Sequence, residues 1–410
     1  MTSRQRIIHT LSHKEPDKIP LDIGGTESSG FTGIAYNNLK KYLGRDSGKT
    51  QIFDTYQQIT KIEPLIREFL QIDTIPLLIE PLGWKSFQLP DGSPCEIPEK
   101  WNPVRENGDW IVKDNQGHIT ARMPDGGLYF EPIYAPLANV NEASEVDNFL
   151  ADIQSFDWPG YADESMADIE ARAKSLFEDT EYAIVANLQC HLLAAGQILR
   201  GYENFMIDLV MNKPIAHAIL DRLLEAYLKR CDRYLEHVGP YVQVVLVNED
   251  LGTQQGPMLS IDCYKEMIWP YQKKLFGHIK KKADVFLLLH SCGSVYRFIP
   301  YLIEAGVDAL NPVQVSAAEM DSAKLKKEFG NDIAFWGGGC DTQRVLNIGT
   351  SVEIKDEVKR RIHDLAPGGG FVFTQVHNIQ PDVPPSNIMA MIETFDKYRG
   401  YDKAAPIDRQ

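Results

Sequence analysis

The chain has 410 residues, with 42 Lys and Arg against 57 Asp and Glu, which gives a formal net charge of −15. Hydrophobic residues make up 43% and charged residues 24%, proportions typical of a soluble globular enzyme and unlike those of a disordered chain. The acidic balance argues against a general nucleic-acid binder, which concentrates Lys and Arg to neutralise phosphates.

The predicted strands are short apolar runs that alternate with longer amphipathic stretches. They comprise residues 19–23, 74–79, 182–188, 242–247, 285–289, 309–310, 333–336 and 371–376. Eight strands alternating with helices predict an α/β fold, the (β/α)8 TIM barrel. The alternative is a doubly wound open sheet, but the first strand is followed by Gly24-Gly25-Thr26-Glu27 and not by a G-x-G-x-x-G turn.

A turn-rich segment at residues 84–132 interrupts this alternation after the second strand. Asp-Gly and Asn-Gly pairs recur in it, such as Asp91-Gly92, and they are typical of hairpin turns. The segment is therefore predicted to be an antiparallel β insertion that covers the barrel mouth or forms an oligomer surface. Residues 1–400 are predicted to form a single barrel domain, and residues 401–410 a polar tail.

The distribution of apolar residues and of cysteines indicates where the protein is located. The sequence has no apolar run long enough for a transmembrane helix and no apolar signal region at its start, which predicts a cytoplasmic protein without a membrane partner. Its 6 cysteines are too sparse for a disulfide scaffold, so free thiols or metal ligands are expected.

Two segments that follow apolar strands carry residue types that bind metals. His290-Ser-Cys292 ends one strand, and Cys340 follows a run of three glycines after another. In a barrel both segments lie at the carboxyl ends of strands, where active sites form. His290, Cys292 and Cys340 are therefore predicted to hold zinc, with one position open to substrate or water. The alternative is that both cysteines are buried apolar side chains and that His290 is a core histidine.

Other polar side chains end predicted strands on the same rim. Asn248 is followed by Glu249 and Asp250, either of which is a candidate fourth metal ligand or general acid, with helix capping as the alternative for Asp250. His377 follows the last strand and is a candidate to protonate a leaving group or bind a substrate oxygen, or else it ties down the final loop. Asp22 ends the first strand and is expected to point into the barrel or at its mouth, with a structural role as the alternative.

Several of these segments resemble the uroporphyrinogen decarboxylase superfamily. They comprise residues 248–257, 290–295, 311–314, 335–343 and 377–384, and the resemblance extends over residues 4–398. Within the superfamily the chain is more similar to the corrinoid-dependent methyltransferases, whose zinc motif of His-x-Cys and a distant Cys matches His290, Cys292 and Cys340. The decarboxylases carry an arginine-rich segment after the first strand, whereas residues 22–30 contain no arginine, which argues against binding of an octa-acid porphyrinogen.

The resemblance implies a zinc-dependent methyltransferase that moves a methyl group from a small donor to the cob(I)alamin of a corrinoid protein. A methoxylated aromatic is the expected donor, and Asp22, Asn248, Gln314 and His377 are expected to line its pocket, with Glu249 as acid or fourth ligand. One alternative is a thiol methyltransferase of the coenzyme M type, which accepts the methyl group from the corrinoid protein. The others are a metal-free decarboxylase and a non-catalytic tetrapyrrole carrier. A homodimer is left open.

Overall fold

In the part of the chain that the structure describes, the strands fall into four sheets. The computed structural model describes residues 1–156 and 164–404 of the chain. Within them the strands are β1 (Phe31–Thr32), β2 (Ile52–Asp54), β3 (Ile59–Thr60), β4 (Thr74–Leu77), β5 (Trp84–Gln88), β6 (Pro94–Pro98), β7 (Val104–Glu106), β8 (Asp109–Lys113), β9 (Ile119–Met123), β10 (Glu131–Pro132), β11 (Ala183–Asn187), β12 (Val244–Asn248), β13 (Phe286–His290), β14 (Ala309–Asn311), β15 (Ala334–Trp336) and β16 (Phe371–Val372). The largest sheet is parallel and has the order β16–β15–β14–β13–β12–β11–β4.

The backbone around Leu21 closes this sheet into a barrel. Leu21 forms a parallel bridge with Phe373, directly after β16, and its carbonyl oxygen accepts the N–H of Asp73, directly before β4. The two edges of the sheet are therefore joined, and the predicted TIM barrel is confirmed. The first predicted strand is reduced to this bridge, because Pro20 has no N–H to donate and the chain turns away from the sheet at Gly24.

Helices lie between the parallel strands and cover the barrel. They are α1 (Ser3–Leu11), α2 (Gly33–Tyr42), α3 (Pro64–Phe69), α4 (Leu150–Ser155), α5 (Met166–Asp179), α6 (Leu192–Arg200), α7 (Tyr202–Asp208), α8 (Lys213–Val238), α9 (Ile261–Met267), α10 (Trp269–Lys282), α11 (Ile299–Ala305), α12 (Ser322–Phe329), α13 (Ser351–Leu365), α14 (Pro385–Tyr398) and α15 (Tyr401–Ala404), with 3-10 turns at Ala143–Phe149 and Tyr296–Phe298. Because helices cover the outer face of the sheet, β11, β14 and β15 are buried along their whole length. Among the described residues, no helix combines the length and the apolar character needed to cross a bilayer.

The insertion predicted at residues 84–132 is antiparallel, as expected. It contains the hairpin β5–β6 and a four-stranded sheet in the order β10–β9–β8–β7. A separate apolar cluster that includes Trp101, Val112 and Phe130 stabilises it. A small sheet of β1, β3 and β2 was not predicted. In the predicted polar tail, residues 401–404 form α15, and residues 405–410 lie outside the described residues.

Candidate active site at the carboxyl end of the barrel

Three side chains of metal-ligand type meet where β13 and β16 end. One ligand atom from each of His290, Cys292 and His377 lies within 4.8 Å of the others, and the His290 Nε2 to Cys292 Sγ distance is 3.5 Å. The rings of His290 and His377 pack edge to face with centroids 5.8 Å apart. Within the described residues this is the group of His, Cys, Asp and Glu side chains close enough to share a metal ion.

A hydrogen bond to Asn311 orients the His290 ring. Asn311 Oδ1 accepts from His290 Nδ1 at 2.9 Å, which leaves the lone pair on Nε2, the atom nearest to Cys292 Sγ. Asn311 is itself held by Ser28, whose hydroxyl donates to Oδ1 at 2.6 Å, and by the carbonyl of Trp336, which accepts from Nδ2 at 2.9 Å. Metal-ligating histidines are positioned by such bonds to their second nitrogen.

The loop that carries Cys292 is fixed against the loop after β12. Asp250 Oδ1 accepts the N–H of Cys292 at 3.0 Å and lies 3.9 Å from His290 Nε2. Gly252 and Gly293 (φ +84°) pack backbone against backbone, and a Cβ on either glycine would overlap the other loop. This close approach holds Cys292 beside His290 and makes Asp250 the carboxylate nearest to the ligand group.

The donor set fits zinc. Two imidazole nitrogens and one thiolate are ligands that zinc prefers, and three protein ligands leave one position open. Burial and the neighbouring His290 lower the pKa of His377 to about 4, so its ring is neutral at pH 7 and has a lone pair to share. Burial raises the pKa of the Cys292 thiol well above its usual value, which makes thiolate formation dependent on a bound cation.

The structure does not bring Cys340 into this group. Cys340 is fully buried in the main apolar core, and burial raises the pKa of its thiol. Its carbonyl accepts the N–H of Val376, which fixes the backbone beside β16. The preceding glycines, Gly337 and Gly338, have φ values of +113° and +81°, so the chain turns before it reaches Cys340.

Glu249 is bound by a helix terminus. Its carboxylate accepts the N–H of Leu192 at 2.5 Å and of Leu193 at 2.9 Å, at the start of α6. The side chain is 2% exposed, and burial raises its pKa to about 8. Its two oxygens therefore satisfy orphan N–H groups of α6.

The residues predicted to line the substrate pocket divide into two sets. Asn248 and His377 line the main cavity at the barrel mouth. Gln314 instead links two loops: its Oε1 accepts the N–H of Gly293 at 2.6 Å, and its Nε2 donates to Gln254 at 2.8 Å. Asp22 is fully buried and is not one of the described residues that line the cavity. Its carboxylate accepts a hydrogen bond from the Trp336 indole.

The main cavity has a volume of about 410 Å³, in the range of small-molecule sites. Its apolar and aromatic lining consists of Tyr56, Tyr129, Phe130, Phe156, Ala194 and Ile198. Its acidic lining consists of Glu27, Asp54, Glu249 and Asp250, and none of the described lining residues is Lys or Arg. Tyr129 and Phe130 belong to the insertion, which therefore covers part of the barrel mouth.

Comparison with known proteins assigns the family. The family model described as Uroporphyrinogen decarboxylase (URO-D) matches residues 168–398, more than half of the chain. The chain belongs to the uroporphyrinogen decarboxylase family. This confirms the superfamily that the rim segments predicted.

Individual relatives are distant. A uroporphyrinogen decarboxylase of Legionella pneumophila is 26% identical over 210 residues, which cover 50% of this chain and 54% of that protein. The chain thus spans about half the length of the curated relatives it matches first. A uroporphyrinogen decarboxylase of Pseudomonas fluorescens is 22% identical over 285 residues, 66% of this chain and 74% of the relative. The structure of a methyltransferase from Methanosarcina mazei covers 97% of this chain and 99% of its own, with a TM-score of 0.58 and 14% identity, a likeness of fold.

Two acidic residues of this family member were missed by sequence reasoning. Glu27 lies in the loop after Leu21 and accepts a hydrogen bond from the Asn187 amide. Asp54 ends β2 and is 1% exposed. Residues 22–30 were noted for their lack of arginine, but no motif singled out the Glu27 side chain. Asp54 lies in the small sheet that was not predicted.

Glu27 is expected to make stability depend on pH. Burial, followed by the negative charge of Asp54, raises the pKa of Glu27 to about 7 from an ordinary value of 4.5. Between these values the folded protein keeps a proton that the unfolded chain has released, so the free energy of unfolding should fall as the pH rises through this window. In Glu27→Gln this part of the slope should vanish. Urea unfolding at about pH 5 and about pH 7 measures it, and an unchanged slope in the variant would contradict the assignment.

Proposed function

We propose that the protein is a zinc-dependent methyltransferase that moves a methyl group from a small donor to the cob(I)alamin of a corrinoid protein. The observation that carries the proposal is the meeting of His290, Cys292 and His377 at the wall of a cavity of about 410 Å³. A methoxylated aromatic is the donor that the resemblance favours, and the aromatic lining of the cavity supports it.

His290, Cys292 and His377 would hold the zinc, with Asp250 as the nearest further oxygen ligand. This differs from the set predicted from the sequence, since His377 takes the place of Cys340. Zinc in this position would supply Lewis acidity that polarises the ether oxygen and makes the phenol a better leaving group.

The remaining work belongs to the chain's own side chains. Tyr56, Tyr129 and Phe130 offer ring faces and edges against which an aromatic donor packs. The insertion excludes water from one side of the donor, which preserves its orientation toward an acceptor that approaches the barrel mouth. Asn311 keeps His290 in the tautomer with a free Nε2 lone pair, as described above.

The charge of the cavity argues against a decarboxylase of carboxylated porphyrinogens, the activity that names the curated relatives. A multiply carboxylated substrate needs Lys or Arg partners, and the described lining residues offer four carboxylates and no cationic side chain. The thiol methyltransferase uses the same zinc chemistry, and the aromatic lining is what favours an aryl donor over a small thiol.

A methyl-transfer assay tests the proposal. Purified protein, loaded with zinc, is mixed with cob(I)alamin and an ortho-methoxyphenol, and the change in corrinoid absorbance and the released phenol are followed together. We expect both signals in equal amounts, and neither with protein stripped of metal. Porphyrinogen decarboxylation without methyl transfer would overturn the proposal in favour of the decarboxylase, and methylation of a thiol from methylcobalamin alone would favour the thiol enzyme.

A further inference from the structure

The carboxylates that line the main cavity differ in how many hydrogen bonds they accept from the protein. Glu249 is bound by the N–H groups of α6, and Asp54 accepts the N–H groups of Tyr56 and Gln57, both at 3.0 Å. Glu27 accepts from the side-chain amide of Asn187, and no other side chain of the described residues donates to it. Asp250 accepts the N–H of Cys292 and lies beside His290, within the group of possible metal ligands. Away from that group, Glu27 is therefore the cavity carboxylate with most capacity left for a ligand.

An anionic ligand would meet an unfavourable field in this cavity. The described lining residues include no Lys or Arg, so a carboxylate bound away from the proposed zinc ion would lose its water shell without gaining a cationic side chain as partner. In their ionised forms Glu27 and Asp54 would also repel it across a site of low dielectric constant, where such repulsion is stronger than in water.

A neutral ligand that donates a hydrogen bond fits the same groups. A phenolic O–H can donate to Glu27, and the ring can pack against Tyr129 and Phe130. Gln189 Oε1, beside Glu27 in the lining, is a buried acceptor without a hydrogen-bond partner among the described residues. A second donor on the ring would satisfy it.

We propose that the cavity selects an uncharged methoxyphenol and rejects methoxylated aromatic carboxylates, with Glu27 accepting the phenolic O–H. The inference rests on the proposed function for the class of donor. It makes Glu27 the residue that determines specificity, acting on the ring substituent and not on the methyl group.

Calorimetric binding of two probes tests the inference without any methyl transfer. The probes are ortho-methoxyphenol and the same compound with a para carboxylate, which differ in one charge. At about pH 8, where Glu27 is ionised, the wild-type protein should bind the carboxylate about tenfold more weakly than the phenol, or worse. In Glu27→Gln the phenol should bind several-fold more weakly and the carboxylate more tightly, so that the dissociation constants of the two probes become more similar.

Glu80→Gln is the matched control, because Glu80 is paired with Lys61 at 2.7 Å and does not line the main cavity. It should behave as the wild type. Equal or tighter binding of the carboxylate by the wild type, or binding of neither probe, would overturn the inference. Tighter binding of a ring that carries a trimethylammonium group would also overturn it and assign the cavity to cations.

The same samples separate this inference from the proposed function. Selective binding of the phenol without methyl transfer to cob(I)alamin would refute the proposed function and leave the charge selectivity of the cavity intact. Methyl transfer from both probes with equal kcat/KM would keep the function and refute the selectivity.

Discussion

His377→Ala is expected to abolish zinc binding, whereas Cys340→Ser keeps about one zinc ion per chain. His377 supplies one of the three ligand atoms that lie within 4.8 Å of one another, and its loss leaves only His290 and Cys292. Cys340 lies in the apolar core, where its thiol packs against other buried side chains. Elemental analysis of both proteins, after gel filtration without chelator, gives the metal content, and methyl transfer should follow it.

A second buried cysteine provides the control for this comparison. Cys231, on α8, is also fully buried, so Cys231→Ser reproduces the cost of placing a hydroxyl in the core. Cys340→Ser and Cys231→Ser should resemble each other in stability and retain metal. If zinc is instead lost from Cys340→Ser and kept by His377→Ala, the ligand set predicted from the sequence is correct. A wild-type protein without zinc would refute both sets.

The barrel could be predicted because most residues of its strands are buried. An unbroken apolar run such as residues 242–247 is what a strand covered on both faces requires, and β12 occupies nearly the same positions. The insertion was predictable for a different reason, because its Asp-Gly and Asn-Gly pairs mark turns directly. The segment at Leu21 that closes the barrel was harder to predict, because its pairing with Phe373 depends on contacts between distant parts of the chain.

The group of His290, Cys292 and His377 was only partly predictable from the sequence. His290 and Cys292 are two residues apart, so the extended backbone alone keeps them together. Cys340 and His377 both follow strands at the rim, and spacing cannot tell which of them turns toward His290. Cys340 follows Gly337 and Gly338, which both have positive φ values, and a sequence does not specify such torsions.

The acidic lining was not predictable, because Glu27 comes from a loop and Asp54 from a short strand outside the barrel. Glu27 follows Leu21 in the loop above the barrel, and Asp54 comes from a short antiparallel sheet outside it. Each lacks a motif, and their proximity arises only when the loop after Leu21 and the small sheet pack together. The sequence indicated the candidate residues at the ends of the barrel strands, but not the acidic residues carried by segments outside those strands.

Asp22 is connected to His290 through a chain of hydrogen bonds. Its Oδ2 accepts from Trp336 Nε1 at 2.7 Å, and the Trp336 carbonyl accepts from Asn311 Nδ2 at 2.9 Å. Asn311 in turn accepts from His290 Nδ1. The side chain predicted to bind substrate therefore acts on the site through the orientation of His290, and its expected phenotype is structural.

Asp22→Ala is expected to lower the free energy of unfolding by about 3 kcal/mol or more, because it leaves buried donors on Gly25, Thr74 and Trp336 without an acceptor. Urea unfolding measures the loss. Asp147→Ala, which breaks an exposed ion pair with Arg222, should cost less than about 1 kcal/mol. In the fraction of Asp22→Ala that stays folded, zinc should bind more weakly, since the bonds that orient Asn311 are loosened, while the affinity for ortho-methoxyphenol changes little. A variant of normal stability that no longer binds the phenol would show that Asp22 contacts the substrate after all.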